Sequence, residues 1–431
     1  MIKKTLLLTI LPFFSVGIFA DGLDSGDTAW ILTSTALVLL MTLPGLSLFY
    51  AGLVRSKNAI SVLMQCFAIA CIVSVAWVVY GYSLAFTDGD GGFIGGTSMF
   101  FLSGIGRETL AGNGTMPTSL FVIFQMTFAI ITPALVVGAF AERMKFGAMC
   151  LFSLLWFTAV YIPACHMIWG GGYLAQEGAA VKDFAGGLVV HLTCGVGALV
   201  VALVLGPRKG FPSTAMPPHN RTMVVTGAAL LWVGWFGFNA GSSWSADGLA
   251  GMAMLVTHIS AATGALTWMA IEWIKGGKPT IVGIATGMVA GLATITPAAG
   301  SVGPEGALLI GLMAGAICFY ATQAVKSVFG IDDSLDVFPV HGVGGIIGII
   351  MVSFVGVQGG FLGSSAGETW VPMEQFVIQL KGIAVIGLWT AVASWIILKV
   401  VGSLMPLRVT EEEEYEGLDV TEHEERSYDL V

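Results

Sequence analysis

Two histidines stand inside long apolar runs of this chain, and their imidazole rings are the groups there best suited to chemistry. His191 lies in VVHLTCGVGALV and His341 in PVHGVGGIIGII, each after a valine and each four residues before a glycine. A titratable ring at membrane depth is costly and indicates a functional site. Two neutral imidazoles in contact share one hydrogen bond and leave one donor and one acceptor outside the pair. The pair therefore predicts a narrow lumen for a small, neutral, hydrogen-bonding solute.

Metal binding and proton relay are two other uses for such a pair. A metal site would need further Cys, Asp or Glu ligands at the same depth, and the sequence indicates none, so no metal is expected. A proton relay stays open and is compatible with solute conduction. A lone buried histidine is more often a packing residue, and that interpretation stays open for His166 and His258.

Aromatic residues near the ends of several apolar runs are candidates for cation recruitment. They are Phe128, Trp169, Trp235 and Phe238, with the hydroxyl of Ser242 following the last two. An aromatic face attracts a cation by roughly 0.5–2 kcal/mol, and a hydroxyl accepts a hydrogen bond from an ammonium ion. The alternatives are an interfacial tryptophan for Trp169 and plain packing for the phenylalanines.

Asp183 begins the short run DFAGG at residues 183–187, just before the apolar stretch that carries His191. A carboxylate at the start of a helix caps backbone N–H groups and interacts favourably with the helix dipole. A carboxylate near an outer vestibule would also favour cations. We expect a structural role with an electrostatic consequence.

The composition places these residues in a membrane. Of 431 residues, 56% are hydrophobic and 10% charged, and the mean hydropathy is +0.87. A soluble globular protein carries about 25% charged residues, so this chain cannot cover a water-facing surface. The six cysteines lie in or beside apolar runs and are interpreted as small packing residues, without disulfides.

Residues 1–20 are predicted to form a cleaved signal peptide, because Lys3 and Lys4 precede an apolar stretch. The remainder to residue 404 is predicted to be one membrane domain of eleven helices. Its spans, numbered 1 to 11, are expected near 30–53, 59–86, 116–141, 147–165, 184–206, 221–241, 246–274, 280–299, 303–328, 336–357 and 375–402.

Basic residues are divided unequally between alternate connections. Ten Lys and Arg residues fall in one set of connections and three in the other. Cytoplasmic loops carry the excess of Lys and Arg, and a signal peptide predicts the same start. We therefore expect a multi-pass protein of the cell (inner) membrane, with the mature N-terminus outside and the C-terminus in the cytoplasm.

Short matches relate spans 1–5 to spans 6–10. FYAG at 49–52 in span 1 corresponds to FNAG at 238–241 in span 6, and the Val-His pairs correspond in spans 5 and 10. Because five is an odd number, two such copies must cross the membrane in opposite directions. This is the inverted-repeat plan of many transporters, with the site at the repeat interface. The two histidines are then expected to meet near the membrane centre.

The C-terminal segment 405–431 is strongly acidic. Residues 406–431 hold ten Asp and Glu residues against two arginines, a net charge of −8 out of −9 for the whole chain. Such a run is commonly solvated and disordered. Apolar residues in EGLDV at 416–420 offer an alternative, in which the segment docks.

These residues resemble the ammonium transporter/methylammonium permease/Rhesus family, closest to its bacterial ammonium transporters. The similarity covers nearly all of residues 25–425, and Pro339 stands where many relatives have glycine. The motifs are FYAGLVR at 49–55, AER at 141–143, ACHMIWGGG at 164–172, DFAGG at 183–187 with His191, WFGFNAGS at 235–242 and DVFPVHG at 336–342.

The resemblance implies an eleven-helix pore in each subunit of a homotrimer. It assigns Phe128, Trp169 and Ser242 to an outer ammonium site, and it assigns a phenyl gate to Phe128 and Phe238. It makes His191 and His341 the paired pore histidines and places Asp183 near the outer site. It also implies that a PII-type nitrogen signalling protein binds the cytoplasmic face, with the acidic tail as a candidate docking segment.

The expected function is therefore ammonium transport in nitrogen metabolism. Ammonium would bind outside, lose its proton, and pass as ammonia along the histidines, with net electrogenic uptake favoured; methylammonium would serve as an analogue. An ammonium sensor with little transport stays open, as does a neutral gas channel of Rhesus type. No phosphate-binding loop, nucleophilic triad or metal cluster is evident, so neither an enzyme nor a cofactor is expected.

Overall fold

The computed structural model describes residues 22–89, 92–112, 114–176, 180–356 and 371–428. Within these ranges, eleven helical segments are long and apolar enough to cross a membrane, and strand structure is limited to isolated bridges. The prediction of an all-α membrane protein is confirmed, whereas the predicted signal peptide lies outside the described residues. The spans are Ser25–Leu53, Ser56–Phe86, Thr118–Phe140, Phe146–Trp169, Gly187–Leu205, Arg221–Gly241, Gly248–Gly276, Ile281–Ala298, Pro304–Val328, Phe338–Val355 and Pro372–Leu404.

The largest differences from the predicted bounds are at the start of span 1 and the end of span 4. Span 1 begins at Ser25 because the Asp24 side chain accepts the N–H of Asp27 and caps a polar first turn. Span 4 continues past His166 to Trp169. The ring of His166 is buried and its Nδ1 lies 3.0 Å from the carbonyl of Ala85, so this histidine is a satisfied packing residue.

Spans 5 and 10 cross where their backbones touch. A side chain at Gly195 would overlap the backbone of Gly342, and one at Gly345 would lie 2.6 Å from the carbonyl oxygen of Gly187. Glycine is needed at both positions because no Cβ fits. Span 1 packs against span 6, just as span 5 packs against span 10. This reciprocal packing is the arrangement that the predicted inverted repeat requires.

Both histidine-bearing spans begin with a wide, π-helical turn. In span 5 the turn is Gly187–Leu192, and in span 10 it is Phe338–Gly342. Such turns are rare and frequently occur at functional sites. Pro339 lies in the first turn of span 10, where a missing N–H costs little. His191 and His341 thus occupy matching irregular turns.

The basic connections and the tail share one end of the bundle, called the tail face here. Glu142 is buried there and forms ion pairs of 2.9 Å with Arg55 and Arg208, and Arg208 also pairs with Asp332. Burial alone would raise the pKa of Glu142, but the charges of Arg208 and Arg55 outweigh it and hold the pKa below its usual value. The network ties four connections together, those between spans 1 and 2, 3 and 4, 5 and 6, and 9 and 10.

The acidic tail folds onto this face as two short helices, Glu411–Glu416 and Leu418–His423. Leu418 is fully buried and its N–H donates to Asn58 Oδ1 at 2.9 Å. The Asp419 carboxylate accepts the N–H of Ser61, near the start of span 2, at 2.8 Å. The docked alternative is therefore confirmed for residues up to 428, and the disordered interpretation is wrong there. The net charge of the segment favoured the disordered interpretation, but a few residues, Leu418 and Asp419 among them, make the buried contacts that hold the tail in place.

Candidate functional site

Two phenyl rings close the centre of the bundle. Phe128 of span 3 and Phe238 of span 6 are buried and stacked, with centroids 4.2 Å apart and an interplanar angle of 26°. Stacked rings at this distance leave no space between them for a hydrated ion. The two residues lie together as the resemblance implied, and the structure gives Phe128 a depth that its sequence context left ambiguous.

An aromatic and hydroxyl cluster lies on the side of these rings that faces away from the tail. Trp169 meets Phe128 edge to face, with centroids 5.8 Å apart. Ser242 lies one helical turn beyond Phe238, and its hydroxyl donates to the Phe238 carbonyl at 2.9 Å. The hydroxyl oxygen keeps lone pairs that can accept a hydrogen bond. A cavity of about 390 Å³ opens at the same end and is lined by Ser243 and Trp244.

Asp183 positions both this cluster and span 5. Its carboxylate accepts four backbone N–H groups at 2.5–3.2 Å, and its carbonyl accepts the indole N–H of Trp169 at 2.9 Å. Burial raises the pKa of the Asp183 carboxyl, and the four N–H donors act in the opposite direction. The predicted capping role is seen directly in these contacts. The side chain points into the start of span 5 rather than into open space. The donors are Gly186, Gly187, Leu188 and Val189.

The two histidine rings meet beyond the phenyl pair. Their Nδ1 atoms are 3.2 Å apart and their centroids 5.2 Å apart, with the rings nearly parallel. His191 also stacks against Trp235 and lies 6.1 Å from Phe238 between ring centroids. Both side chains are almost fully buried. The prediction that rings from opposite halves of the chain meet is thus matched by the geometry.

A lumen continues from the histidines to the tail face. A cavity of about 10 Å³, enough for about one water molecule, touches both histidines and Phe238. A second cavity, of about 210 Å³, begins at His341 and reaches Lys326 and Asp336 at the tail face. The rings therefore line a path and do not point into packed protein.

Comparison with known proteins agrees with this architecture. The sequence matches the model of the Ammonium Transporter Family over residues 29–428. It is 46% identical to the ammonium transporter of Bacillus subtilis, over 94% of this chain and 99% of that one.

The chain belongs to the Ammonium Transporter Family. Among solved structures, it is similar to Mep2 of Saccharomyces cerevisiae, with 37% identity, a TM-score of 0.81, and coverage of 91% of this chain and 92% of that one. It is also similar to a sensor Amt protein, with 29% identity, a TM-score of 0.84 and coverage of 92% and 98%. The curated relative is a transporter and not an enzyme, which agrees with the expectation for this chain.

For this ammonium transporter family member, the structure adds a neighbour of the histidines that the sequence analysis did not anticipate. The sequence had indicated no third metal ligand at their depth, yet Cys194 Sγ and one nitrogen of each ring lie within 4.8 Å of one another. Cys194 follows His191 by three residues, which places both side chains on one side of a helix. That spacing was the available signal, but all six cysteines had been assigned to packing.

His258 has a different environment from the pore pair. It is exposed on the surface of span 7 and stacks on Trp232, with centroids 5.2 Å apart. The ring does not reach the lumen residues, so the structure gives it no part in the site.

Proposed function

We propose that this family member binds ammonium at the cluster of Trp169, Phe128 and Ser242, and passes ammonia along His191 and His341. The observation that carries the proposal is the pair of buried imidazoles, 3.2 Å apart, at the end of a lumen. The pathway then runs from the aromatic cluster, past the phenyl gate, to the tail face.

Recruitment depends on the positive charge of the ion. The faces of Trp169 and Phe128 stabilise a cation by roughly 0.5–2 kcal/mol, and Ser242 accepts one N–H of the ion. Asp183 holds the Trp169 indole through its main-chain carbonyl, so the ring is oriented before the ion arrives. The outer site thus selects a small cation that carries hydrogen-bond donors.

Deprotonation follows from the cost of moving the ion deeper. The stacked rings of Phe128 and Phe238 exclude its hydration shell, and desolvation lowers the pKa of a buried amine by up to about 3–5 units. Ammonium then dissociates into ammonia and one proton. Potassium has a similar charge and size but no proton to release, so it stays outside the gate.

Beyond the gate, the neutral molecule needs hydrogen-bond partners and finds the histidines. One ring nitrogen in the pair donates and the other accepts, so ammonia can exchange bonds along the two rings. The cavity of about 210 Å³ below His341 returns it to water at the tail face. We propose that the proton crosses as well, which makes uptake electrogenic and transfers one ammonium ion in total.

The charge balance is tested with proteoliposomes that contain the full chain. We expect an inward current when ammonium is added, with a reversal potential that shifts by about 59 mV per tenfold ammonium gradient, the value for one charge. Internal alkalinisation without current would instead establish neutral ammonia flux. If the protein binds ammonium but shows neither current nor methylammonium uptake, the sensor alternative is established. The similarity to a sensor Amt protein is the reason to test this alternative.

The outer site is tested by Trp169→Leu. Loss of the indole removes the cation–π contribution of ~0.5–2 kcal/mol, so the half-saturating ammonium concentration should rise about 2–30-fold. Trp395→Leu is a matched control, because Trp395 is half exposed on span 11, away from the lumen. Concentration dependence of the current measures both. An unchanged half-saturation in Trp169→Leu would remove the indole from recruitment.

We further propose a homotrimer in the cell membrane, with the tail face in the cytoplasm. The excess of basic residues at this face supports the orientation. A PII-type protein is the proposed partner at the same face, where the docked tail presents exposed acidic residues.

The role of the tail in partner binding is tested by a pull-down with purified PII protein. The full chain should retain the partner, and a chain ending at Pro406 should retain less, because it lacks both tail helices. Ammonium current from the same two proteins controls for folding. Equal PII binding by the two chains would exclude the tail as a docking element. The loops of the tail face would then be the remaining candidates for PII binding.

A further inference from the structure

We propose that His191, Cys194 and His341 form a binding site for one Cu(I) ion at the centre of the bundle. A nitrogen of each ring and Cys194 Sγ lie within 4.8 Å of one another. The Nδ1 atoms are already 3.2 Å apart, close to the ~3.3–3.6 Å between two nitrogens bound to one ion at about 2.0 Å. Two of the three ligands are thus nearly placed.

The third ligand needs only a small movement. An ion bonded at about 2.0 Å to nitrogen and 2.3 Å to sulfur, in a trigonal plane, requires nitrogen–sulfur separations of ~3.8 Å. Starting from 4.8 Å or less, the sulfur has to approach by no more than about 1 Å. Rotation of the Cys194 side chain toward the rings would break only the 3.4 Å hydrogen bond from its Sγ to the His191 carbonyl.

The ligand set and its burial favour a soft monovalent ion. Thiolate selects Cu(I), zinc and iron–sulfur clusters, and imidazole also accepts copper. All three side chains are almost fully buried, where an uncompensated charge is costly. One thiolate and two neutral imidazoles around Cu(I) have no net charge, whereas a divalent ion would leave a positive charge inside the membrane. Charge neutrality therefore selects Cu(I) over zinc.

The protons balance without a redox step. The Cys194 thiol releases its proton to solvent as the copper–sulfur bond forms. The proton shared by the two Nδ1 atoms moves to the Nε2 atom of its ring, so that both Nδ1 atoms can bind the metal. His191 Nε2 is buried and has no hydrogen-bond partner within the described part of the chain, so no existing bond is broken there.

The ion has a route to the site. The cavity of about 210 Å³ leads from the tail face to the His341 ring, and Asp336 and Ser334 supply oxygen atoms along its wall. An ion at the three ligands would occupy the space beside both histidines. Its effect on flux rests on the proposed function: bound Cu(I) would block the path of ammonia.

Binding is tested with Cu(I) alone, added under anaerobic, reducing conditions to the purified full chain in competition with a coloured Cu(I) chelator. Loss of a second-shell group already costs about 10–100-fold in metal affinity, so Cys194→Ala should weaken the tightest site at least ~100-fold. Cys66→Ala is the matched control, since Cys66 is equally buried but lies in span 2. Copper X-ray absorption should show one sulfur and two nitrogen neighbours in the wild type.

The outcomes separate the site from the pathway. Equal Cu(I) affinity in the wild type and in both Cys194→Ala and Cys194→Ser, each checked for folding by ammonium current, would overturn the metal site and leave the proposed function intact. Binding that depends on Cys194 supports the site. If such binding leaves ammonium flux unchanged, the metal site stands and the histidine pathway falls. Inhibition that is lost in Cys194→Ala supports both.

Discussion

His191→Asp is expected to let potassium through the protein and to abolish its selectivity for ammonium. The two imidazoles contact each other at 3.2 Å and bring no negative charge that could balance a cation. A carboxylate in the same place would attract a cation, and it would remove the hydrogen-bonding surface that ammonia needs. Potassium-driven current in proteoliposomes should rise from background, while ammonium-driven current should lose its advantage over potassium. His341→Asp should give the same result, because the two rings occupy matching turns of the repeat.

His191→Asn is the control that separates charge from shape. The amide keeps an N–H donor group and a carbonyl acceptor and stays neutral, so potassium should remain excluded even if ammonium flux falls. Unchanged flux and unchanged selectivity in His191→Asp would contradict the histidine pathway. Potassium entry in His191→Asn as well would show that cavity size, rather than charge, controls selectivity.

The meeting of the histidines was predictable because it depends on topology. An odd number of spans per repeat forces opposite directions, and the Val-His-x-x-x-Gly pattern marks the same place in each copy. The structure adds the reason for the glycines, since Gly195 and Gly345 sit where the backbones of spans 5 and 10 touch. The positions of the helices were equally predictable, because they follow from the length of each apolar run and the thickness of the membrane.

Contacts between distant segments were not predictable from the pattern. Nothing near Phe128 indicates which residue its ring faces, because stacking on Phe238 depends on how spans 3 and 6 pack. The proximity of Cys194 to the two rings was not predicted, since a cysteine in an apolar helix is usually a packing residue. The sequence left two interpretations of the tail, solvated or docked. Its local charge favours solvation, whereas the burial of Leu418 depends on contacts with Asn58 in span 2.

Asp183→Ala is expected to destabilise the protein severely and to abolish transport. The carboxylate accepts four N–H groups at the start of span 5, and all four are buried. Each unsatisfied buried donor costs about 1–3 kcal/mol. The combined loss should prevent the turn that carries His191 from holding its shape. Thermal unfolding in detergent should show a lower Tm and a smaller folded yield, with no ammonium current from the folded fraction.

Two further variants make this result specific to the four-bond arrangement. Asp247→Ala removes a similar helix cap at span 7. The exposed carboxylate there accepts the Ala250 N–H at 3.0 Å and the Ser245 hydroxyl at 2.8 Å, so the cost should be ~0.5–2 kcal/mol. Asp183→Asn keeps one acceptor oxygen, but its amide N–H group faces two backbone N–H groups that then have no acceptor. The Tm of Asp183→Asn should therefore be closer to that of Asp183→Ala than to that of the wild type. If Asp183→Ala and Asp247→Ala have equal Tm values, water must replace the carboxylate as the hydrogen-bond acceptor for the four N–H groups at the start of span 5. The carboxylate would then not be what holds His191 in place.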